Sequence, residues 1–297
     1  MTRRSSPFAP LPQTTDLPVL MPVAARLARS SGQERLAGSP VMRLGGVHGA
    51  VLAMLFLVGC TIASTQAKAG DPSIVETLWK WTPLLLQGFV FNLAISAIAM
   101  AAGTLAGIFL GFAQISPLMP VRKGAWFATH FFRNAPWLVL LFYCMFLLPF
   151  QVTIFGVTIP LPDWVKATFG LSLPVMGNVS EILRGAMQSI PTTQWESASS
   201  LAFTRRQTVW KIIFPQCIKR MLPPWMNLYS ILTMGTVLVS IVGVSEMMTL
   251  TRLALSAENR PGLLLAFYSY VLFWFFIYCY PIARWTVRLE AKYAVNA

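Results

Sequence analysis

Few residue types that do chemistry lie inside the long apolar stretches of this chain. Glu181 and Arg184 stand three positions apart, so on a helix they share one face and can form an ion pair. Ionisable groups in a membrane segment mark solute or ion pathways by default, and we count both as candidate pathway residues, with a purely structural pair as the alternative. The amides of Asn92 and Asn178 can line the same pathway or bond between helices, and the sequence leaves both uses open.

A polar, basic stretch, TTQWESASSLAFTRRQTVWKIIFPQ at 192–216, interrupts the apolar pattern. Thr193 and Glu196 fit the capping-box spacing, in which a hydroxyl and a carboxylate each satisfy a free backbone N–H at a helix start. Thr204 and Gln207 repeat that spacing. The sequence therefore predicts two helix starts within this short stretch.

The two predicted helices cover about 194–202 and 205–214, with a break at 202–204. Pro191 is expected to end the helix before them, and Pro215 to end the second one, because proline disfavours helical geometry in the residue before it. Such a hairpin must bury its apolar face against its own chain or against a partner. That face is predicted to comprise Trp195, Ala198, Leu201 and Ala202 on the first helix and Val209, Ile212 and Ile213 on the second.

The composition of the chain indicates that these residues lie in a membrane protein. The 297-residue chain is 56% hydrophobic and 11% charged, whereas soluble domains carry about 25% charged residues. Six apolar segments each approach the roughly 20 residues that cross a bilayer as a helix. They are 47–64, 84–114, 125–149, 171–190, 225–245 and 262–283. The expected fold is an all-α membrane protein with five core transmembrane helices plus one N-terminal helix.

The net charge of +13 comes from basic residues whose positions fit a membrane topology. With six spans and a cytoplasmic N-terminal tail, only five of the 23 Lys and Arg residues fall on the outer side. These are Lys68, Lys80, Lys166, Arg252 and Arg260. This positive-inside pattern places both the N-terminal tail and the C-terminus in the cytoplasm, and it explains the basic excess without nucleic acid.

The N-terminal region leaves several readings open. Residues 1–46 are rich in Pro, Ser and Arg and are expected to form a flexible basic cytoplasmic tail. Residues 47–69 can be a retained span, a signal segment cleaved after Ala69, or a lipoprotein signal with Cys60 as the lipidated residue. Met42 is an alternative translation start. All three readings place residue 70 outside the cell.

Residues 70–83 form the expected periplasmic lead-in, with a helix start at Asp71-Pro72-Ser73. The outer loop 150–170 is predicted to hold a short hairpin or an interfacial helix. The first core span carries small residues four positions apart, which permits close helix packing. They are Gly103, Gly107 and Gly111.

Several chemistries find no support in the sequence. Cys60, Cys144, Cys217 and Cys279 are widely spaced, with no CxxC pair or histidine cluster, so a disulfide or metal site is not expected. There is no HExxH pattern for a metalloprotease and no GxxxxGK[ST] loop to cradle phosphate. We therefore expect no catalytic residue, no metal and no cofactor in this chain.

Several segments together resemble one known family. The loop fits the E-A-A-x3-G-x9-I-x-L-P spacing of bacterial ABC importer permeases. The fitting residues are Glu196, Ala198, Ala202, Ile212, Phe214 and Pro215. The segments FFRNAPWLVLLF, GNVSEILRGAMQSIPTTQWESA and SIVGVSEMM are similar to segments of the polar amino acid permeases in that superfamily, glutamate/aspartate-type permeases among them. The resemblance covers residues 84–297, the expected permease domain.

This resemblance implies a type I ABC importer permease bundle in a bacterial inner membrane, paired with itself or a homologous permease. Two ATP-binding subunits would dock on the loops at 191–216, whose first helix would be the coupling helix, and ATP and Mg would bind only to those subunits. A periplasmic binding protein would deliver a polar amino acid or related zwitterion. The implied coupling set is Thr193, Glu196, Ala198, Ala202, Ile212 and Pro215.

Two departures from the family pattern matter. Ala202 stands where the family loop has glycine, so this residue or a neighbour must take up the unusual dihedral angles there. The family segment KDTSL is replaced by MGTVL at 234–238, which removes both charges and leaves Thr236 as the candidate pathway residue.

Two rival functions are a stand-alone secondary transporter and a membrane-embedded enzyme. The first would need carboxylates near the membrane midplane for ion coupling, and we expect no second mid-span carboxylate besides Glu181. The second would need paired carboxylates or a Ser/His arrangement, which the sequence does not offer. The solute itself is not encoded in any motif we recognise.

Overall fold

The computed structural model describes residues 72–154 and 157–293, together with Met54 by itself. The predicted tail 1–46 lies outside the described residues, as does the segment 47–69 apart from that one position. The described residues from 72 to 293 belong to one compact unit.

The first described helix, α1, runs for 41 residues from Ile74 to Gln114. The hydroxyl of Ser73 caps it by accepting a hydrogen bond from the backbone N–H of Glu76 at 3.2 Å. The predicted helix start at this point is therefore confirmed, and residues 74–83 of the lead-in belong to the helix.

The prediction of a single helix at 125–149 is wrong. Two helices, α2 (Met119–Asn134) and α3 (Trp137–Leu147), meet at an angle of 106°. Ala135 between them is extended, with φ −70° and ψ 139°. The ring of Pro136 excludes the helical conformation from the residue before it, so the apolar run bends here.

A hairpin and a long helix follow. Strand β1 (Gln151–Ile154) pairs antiparallel with β2 (Val157–Pro160), which confirms the hairpin predicted within 150–170. Helix α4 runs over Asp163–Gln188, so it begins eight residues before the predicted start at 171.

The second half of the chain is also helical. Its elements are α5 (Thr192–Ser200), α6 (Arg205–Val242), α7 (Met247–Glu258) and α8 (Leu263–Tyr293). Helix α6 contains four successive parts: an α-helical turn Arg205–Gln207, a π-helical turn Thr208–Ile213, an α-helix Phe214–Gly235 and a 3-10 helix Thr236–Val242. Helix α7 was not predicted, and α6 starts twenty residues before the predicted span 225–245.

Helix α4 is central, because it packs against α1, α2, α3 and α6. A Cβ atom on Gly107 of α1 would lie 2.7 Å from Cβ of Val179 on α4, which only a glycine avoids at this separation. Gly103 and Gly111 meet α4 in the same way, one turn before and one turn after. The predicted packing face of small residues is confirmed, and the order of contacts makes α1 and α4 parallel.

Among the described residues, α1, α6 and α8 are long and apolar enough to cross a membrane, and the bent α2–α3 pair is a fourth such segment. Helix α4 has 26 residues, about 39 Å at 1.5 Å per residue, which exceeds a hydrocarbon core of about 30 Å. It is less apolar because its neighbours shield it from lipid. The five predicted core spans are these five segments.

The bundle has two distinct ends. The hairpin end holds the start of α1, the β1–β2 hairpin and α7, whereas the loop end holds residues 115–118 and 189–204. At the hairpin end, Glu258 of α7 accepts hydrogen bonds from Nζ of Lys80 at 2.8 Å and Nε1 of Trp81 at 2.7 Å. These contacts fasten α7 to α1 and lower the pKa of Glu258.

Candidate functional site

The first part of the candidate site is the loop at 191–216, at the loop end of the bundle. Helix α4 ends at Gln188, and α5 begins at Thr192 with Pro191 as its N-cap residue and no side-chain cap. The predicted capping box of Thr193 and Glu196 is therefore wrong. The ring of Pro191 fixes its φ near −55°, and the helix begins two residues before the box would allow.

The predicted break after α5 is confirmed, and Ala202 makes it. This residue has φ +57°, a left-handed conformation that costs a non-glycine residue steric strain. Its N–H donates to Ser199 O at 2.9 Å, and the N–H of Phe203 donates to Ala198 O at 3.1 Å. These two bonds form a Schellman motif, whose left-handed position is normally glycine. Ala202 itself adopts the family glycine's conformation.

The second predicted capping box is confirmed. The hydroxyl of Thr204 accepts from the N–H of Gln207, whose side chain accepts from the backbone N–H of Thr204 at 2.9 Å. Helix α6 begins at Arg205 as predicted, but Pro215 does not end it. The π-helical turn before this proline widens the helix locally, and the missing proline N–H is accommodated where the helix changes type.

A hydrophobic cluster fastens the loop to the bundle. It joins the last turns of α4 to the first turns of α6, and the half-buried Trp195 and Ile212 pack against it. Trp210 and Phe112 lie with their ring centroids 5.0 Å apart, so α1 also contacts the start of α6. The buried members are Leu183, Ala186, Met187, Ile190, Ile213, Cys217 and Met221.

The predicted apolar face of α5 is only partly correct. Ala198 is 1% exposed, so its small side chain serves packing within the chain, whereas Leu201 is 71% exposed. Of the other predicted coupling residues, Thr193, Glu196, Ala202 and Pro215 are exposed. The loop thus presents an exposed surface on a firmly packed base.

A second group of candidates forms a buried polar cluster near the hairpin end. Nδ2 of Asn92 donates to Oγ1 of Thr236 and to Oε2 of Glu246, both at 2.9 Å. Glu246 is fully buried and also accepts from the backbone N–H groups of Met248 and Thr249 at the start of α7. Glu246 is thus a second carboxylate inside the bundle, at the start of α7 and just beyond the predicted span 225–245. The residue lies inside the family-like segment SIVGVSEMM, which was the available signal.

Of the remaining candidates, Asn178 and Glu181 line a cavity of about 500 Å³ near the loop end, which we call the inner cavity. Nε of Arg184 donates to Oε2 of Glu181 at 3.1 Å, and Nη1 of Arg133 lies 3.8 Å from Oε1 of the same carboxylate. The predicted i, i+3 ion pair is therefore present. Asn178 lines the cavity while its amide nitrogen donates to Pro174 O.

A larger cavity of about 750 Å³, the outer cavity, lies near the hairpin end. It is lined mainly by apolar residues of α1, including Phe91, with Asp163 and Trp164 from the start of α4 and Ser245 before α7. Glu181 lies eighteen residues beyond Asp163 along α4, about 27 Å. The structure thus places the candidate pathway residues in two separate groups, Asn92 with Thr236 and Asn178 with the ion pair.

Among residues 72–154 and 157–293, no cluster of three or more His, Cys, Asp or Glu side chains is arranged to hold a metal ion. The three described cysteines, Cys144, Cys217 and Cys279, are free and buried. A bundle of membrane-crossing helices, with a cavity near each end and an exposed loop on a packed base, is the architecture of a multi-pass membrane permease.

Comparison with known proteins identifies the family. Residues 103–283 match the family described as "Binding-protein-dependent transport system inner membrane component". This chain belongs to that family. It is accordingly an inner-membrane permease subunit that works with ATP-binding subunits and a binding protein, and ATP hydrolysis takes place in a partner subunit.

Individual relatives agree with this assignment. The "Probable amino-acid ABC transporter permease protein YckA" of Bacillus subtilis (strain 168) is 31% identical over 212 residues, covering 71% of this chain and 90% of that protein. The "Glutamine transport system permease protein GlnP" of Escherichia coli (strain K12) is 28% identical over 179 residues. That match covers 58% of this chain and 77% of GlnP.

A solved structure has a similar fold. The structure titled "Crystal structure of an amino acid ABC transporter with histidines" superimposes with a TM-score of 0.64 at 22% identity. The match covers 75% of this chain and 99% of that chain. The five-span bundle with its loop is therefore the type I importer permease fold.

Proposed function

We propose that this permease imports a polar amino acid or a related zwitterion, and that the loop at 191–216 couples it to the ATP-binding subunits. The observation that carries the coupling proposal is the loop's construction. Its exposed residues stand on a base fastened to α1, α4 and α6, so a force on α5 is transmitted to the spans rather than absorbed by a flexible loop. The solute class is supported by the names of two relatives, an amino-acid and a glutamine permease.

In this proposal the loop end faces the cytoplasm, with the N-terminal tail and the C-terminus, and the hairpin end faces the periplasm. The distribution of basic residues supports that orientation. The permease pairs with a second copy or a homologous permease, and two ATP-binding subunits carry the ATP and Mg. This chain holds no cofactor. A periplasmic binding protein releases the solute at the hairpin end.

Nucleotide binding would close the ATPase dimer and bring the two α5 helices together. Because α5 and the start of α6 share one hydrophobic cluster with the end of α4, this movement would turn the bundle between its inward- and outward-facing states as rigid parts. The coupling set would then act at the interface through its exposed members Thr193, Glu196, Ala202 and Pro215. Ala198 and Ile212 would act from within by holding α5 on its base.

The coupling proposal is tested by changing an exposed loop residue that the chain's own packing does not use. Leu201→Asp should insert normally but lose ATPase-subunit binding at least tenfold, because a carboxylate would be buried in an apolar interface without a partner. Val121→Asp, at an exposed apolar position of α2 at the same end, is the matched control. Ala198→Arg is unsuitable, since a buried position would disturb folding.

Co-purification with the ATP-binding subunits and uptake into proteoliposomes are the two readouts. Loss of both in Leu201→Asp, with both kept in Val121→Asp, supports coupling through the loop. Wild-type association of Leu201→Asp would contradict it. The solute class is tested separately by uptake of labelled amino acids in the presence of the binding protein.

A further inference from the structure

The inner cavity is lined by more basic than acidic side chains. Arg133 and Arg220 line it together with Glu181, and Arg184 stands beside them, bonded to that same carboxylate. The cavity and its edge therefore hold three guanidinium groups and a single carboxylate. Among the described residues, only Arg184 of the three is hydrogen-bonded to that carboxylate.

The guanidinium groups retain donors for a further anion. Each arginine carries five N–H donors. Among the described residues, Arg220 uses one nitrogen, Nη1, which donates to the backbone and side-chain oxygens of Ser189, the latter at 2.8 Å. In the described part of the chain, Arg133 makes only the 3.8 Å approach to Glu181. Both side chains can thus offer N–H groups to an oxyanion within the cavity.

The cavity wall around Arg133 is built rigidly. The backbone of α2 comes so close to Gly177 that a Cβ there would lie 2.9 Å from the backbone nitrogen of Arg133. A buried hydrogen-bond network joins α1, α2 and α4 beside it, with Nε2 of Gln114 donating to Thr129 at 2.9 Å and to Ser180 at 2.7 Å. The backbone that carries Arg133 is therefore held at a fixed position, which a binding site needs.

We propose that the inner cavity is a station for the carboxylate group of the solute, held between Arg133 and Arg220. The ammonium group of the same zwitterion would face Glu181 and the side-chain oxygen of Asn178. The inference rests on the proposed function, since it takes an amino acid as the solute. The outer cavity differs, because its lining includes no basic residue.

This site also lies next to the coupling loop. Arg220 bonds to Ser189, two residues before Pro191, where the loop begins. A carboxylate that draws Arg220 into the cavity would compete with that bond. Binding of a carboxylate in the inner cavity would in this way loosen a contact beside the start of α5.

The test uses the permease assembled with its ATP-binding subunits in nanodiscs, without the binding protein. Equilibrium binding is measured with a ³H-labelled mixture of the twenty common L-amino acids and with ³H-labelled L-glutamine. Arg133→Gln and Arg220→Gln should each weaken binding at least tenfold, since each removes one charged partner of a carboxylate. Lys219→Gln, at an exposed position beside Arg220, should bind as the wild type does.

Arg133→Lys and Arg220→Lys check folding, because they keep the charge and should retain part of the binding. Acetate should compete with the labelled amino acids, and methylammonium should compete less. Wild-type binding by both glutamine variants would overturn the proposal. Loss of binding in phosphatidylglycerol-rich nanodiscs would also overturn it, by making the cavity a headgroup site.

Failure of the proposed function has a different signature. If the wild-type complex with its binding protein imports no amino acid, the solute class is wrong. If it imports one while the arginine variants bind and transport normally, only the inner-cavity assignment is wrong.

Discussion

Replacing Ala202 by glycine should strengthen the break between α5 and α6. The left-handed conformation at φ +57° costs an L-residue with a Cβ about 1–2 kcal/mol. Glycine removes that strain but adds about 0.4–1 kcal/mol of conformational entropy to the unfolded chain. The net expectation is a loop more stable by about 0.5–1 kcal/mol.

Hydrogen exchange at Phe203 measures this directly, because its N–H donates to Ala198 O only while the Schellman motif is closed. If the closed motif is stabilised by about 0.5–1 kcal/mol, it opens less often, and exchange that requires this opening slows roughly two- to fivefold after correction for intrinsic rates. Ala202→Val should shift exchange in the opposite direction, since a β-branched residue fits the left-handed region worse. Equal or faster exchange in Ala202→Gly would refute the strain argument.

Three further results are expected. Gly107→Val should lower the thermal unfolding midpoint by forcing α1 from Val179, at a cost of about 1–3 kcal/mol, whereas Gly124→Val, where nothing lies within 4 Å of an added Cβ, should not. Glu246→Ala should destabilise the fold by about 2–4 kcal/mol, seen as a lower midpoint and reduced membrane abundance, because buried N–H groups lose their acceptor. Glu258 has a lowered pKa, so its stabilisation is present above the ordinary glutamate pKa of about 4.3 and is lost as the pH falls through the lowered value. Glu258→Gln should flatten the fall of the unfolding midpoint in that acidic range.

Features fixed by nearby residues were predictable from the sequence. The glycine spacing on α1 gave its packing face, and the cap at Thr204 gave the start of α6. The spacing that reveals each feature lies within one helix, although the glycine face packs against α4. The i, i+3 spacing of Glu181 and Arg184 gave their ion pair for the same reason.

Features fixed by distant residues were not predictable in the same way. Glu246 bonds to Asn92 across 154 positions, so no local pattern indicates that its side chain is buried. Pro215 looked like a helix end because the π-helical turn before it has no sequence signature. The bend at Pro136 did have a signal in the proline, but the apolar run continuing through it favoured a single span. Burial of Ala198 depends on how α5 packs against α6, which the pattern left open.

The central claim is that this chain is a gate whose movement is powered by ATP-binding partners through the loop at 191–216. The most direct measurement is solute uptake against a gradient in proteoliposomes holding this permease, with the ATP-binding subunits present or omitted and the binding protein supplied outside. Uptake that requires both those subunits and ATP, and that Leu201→Asp abolishes, is the predicted result. Uphill uptake by the permease without them would contradict the claim.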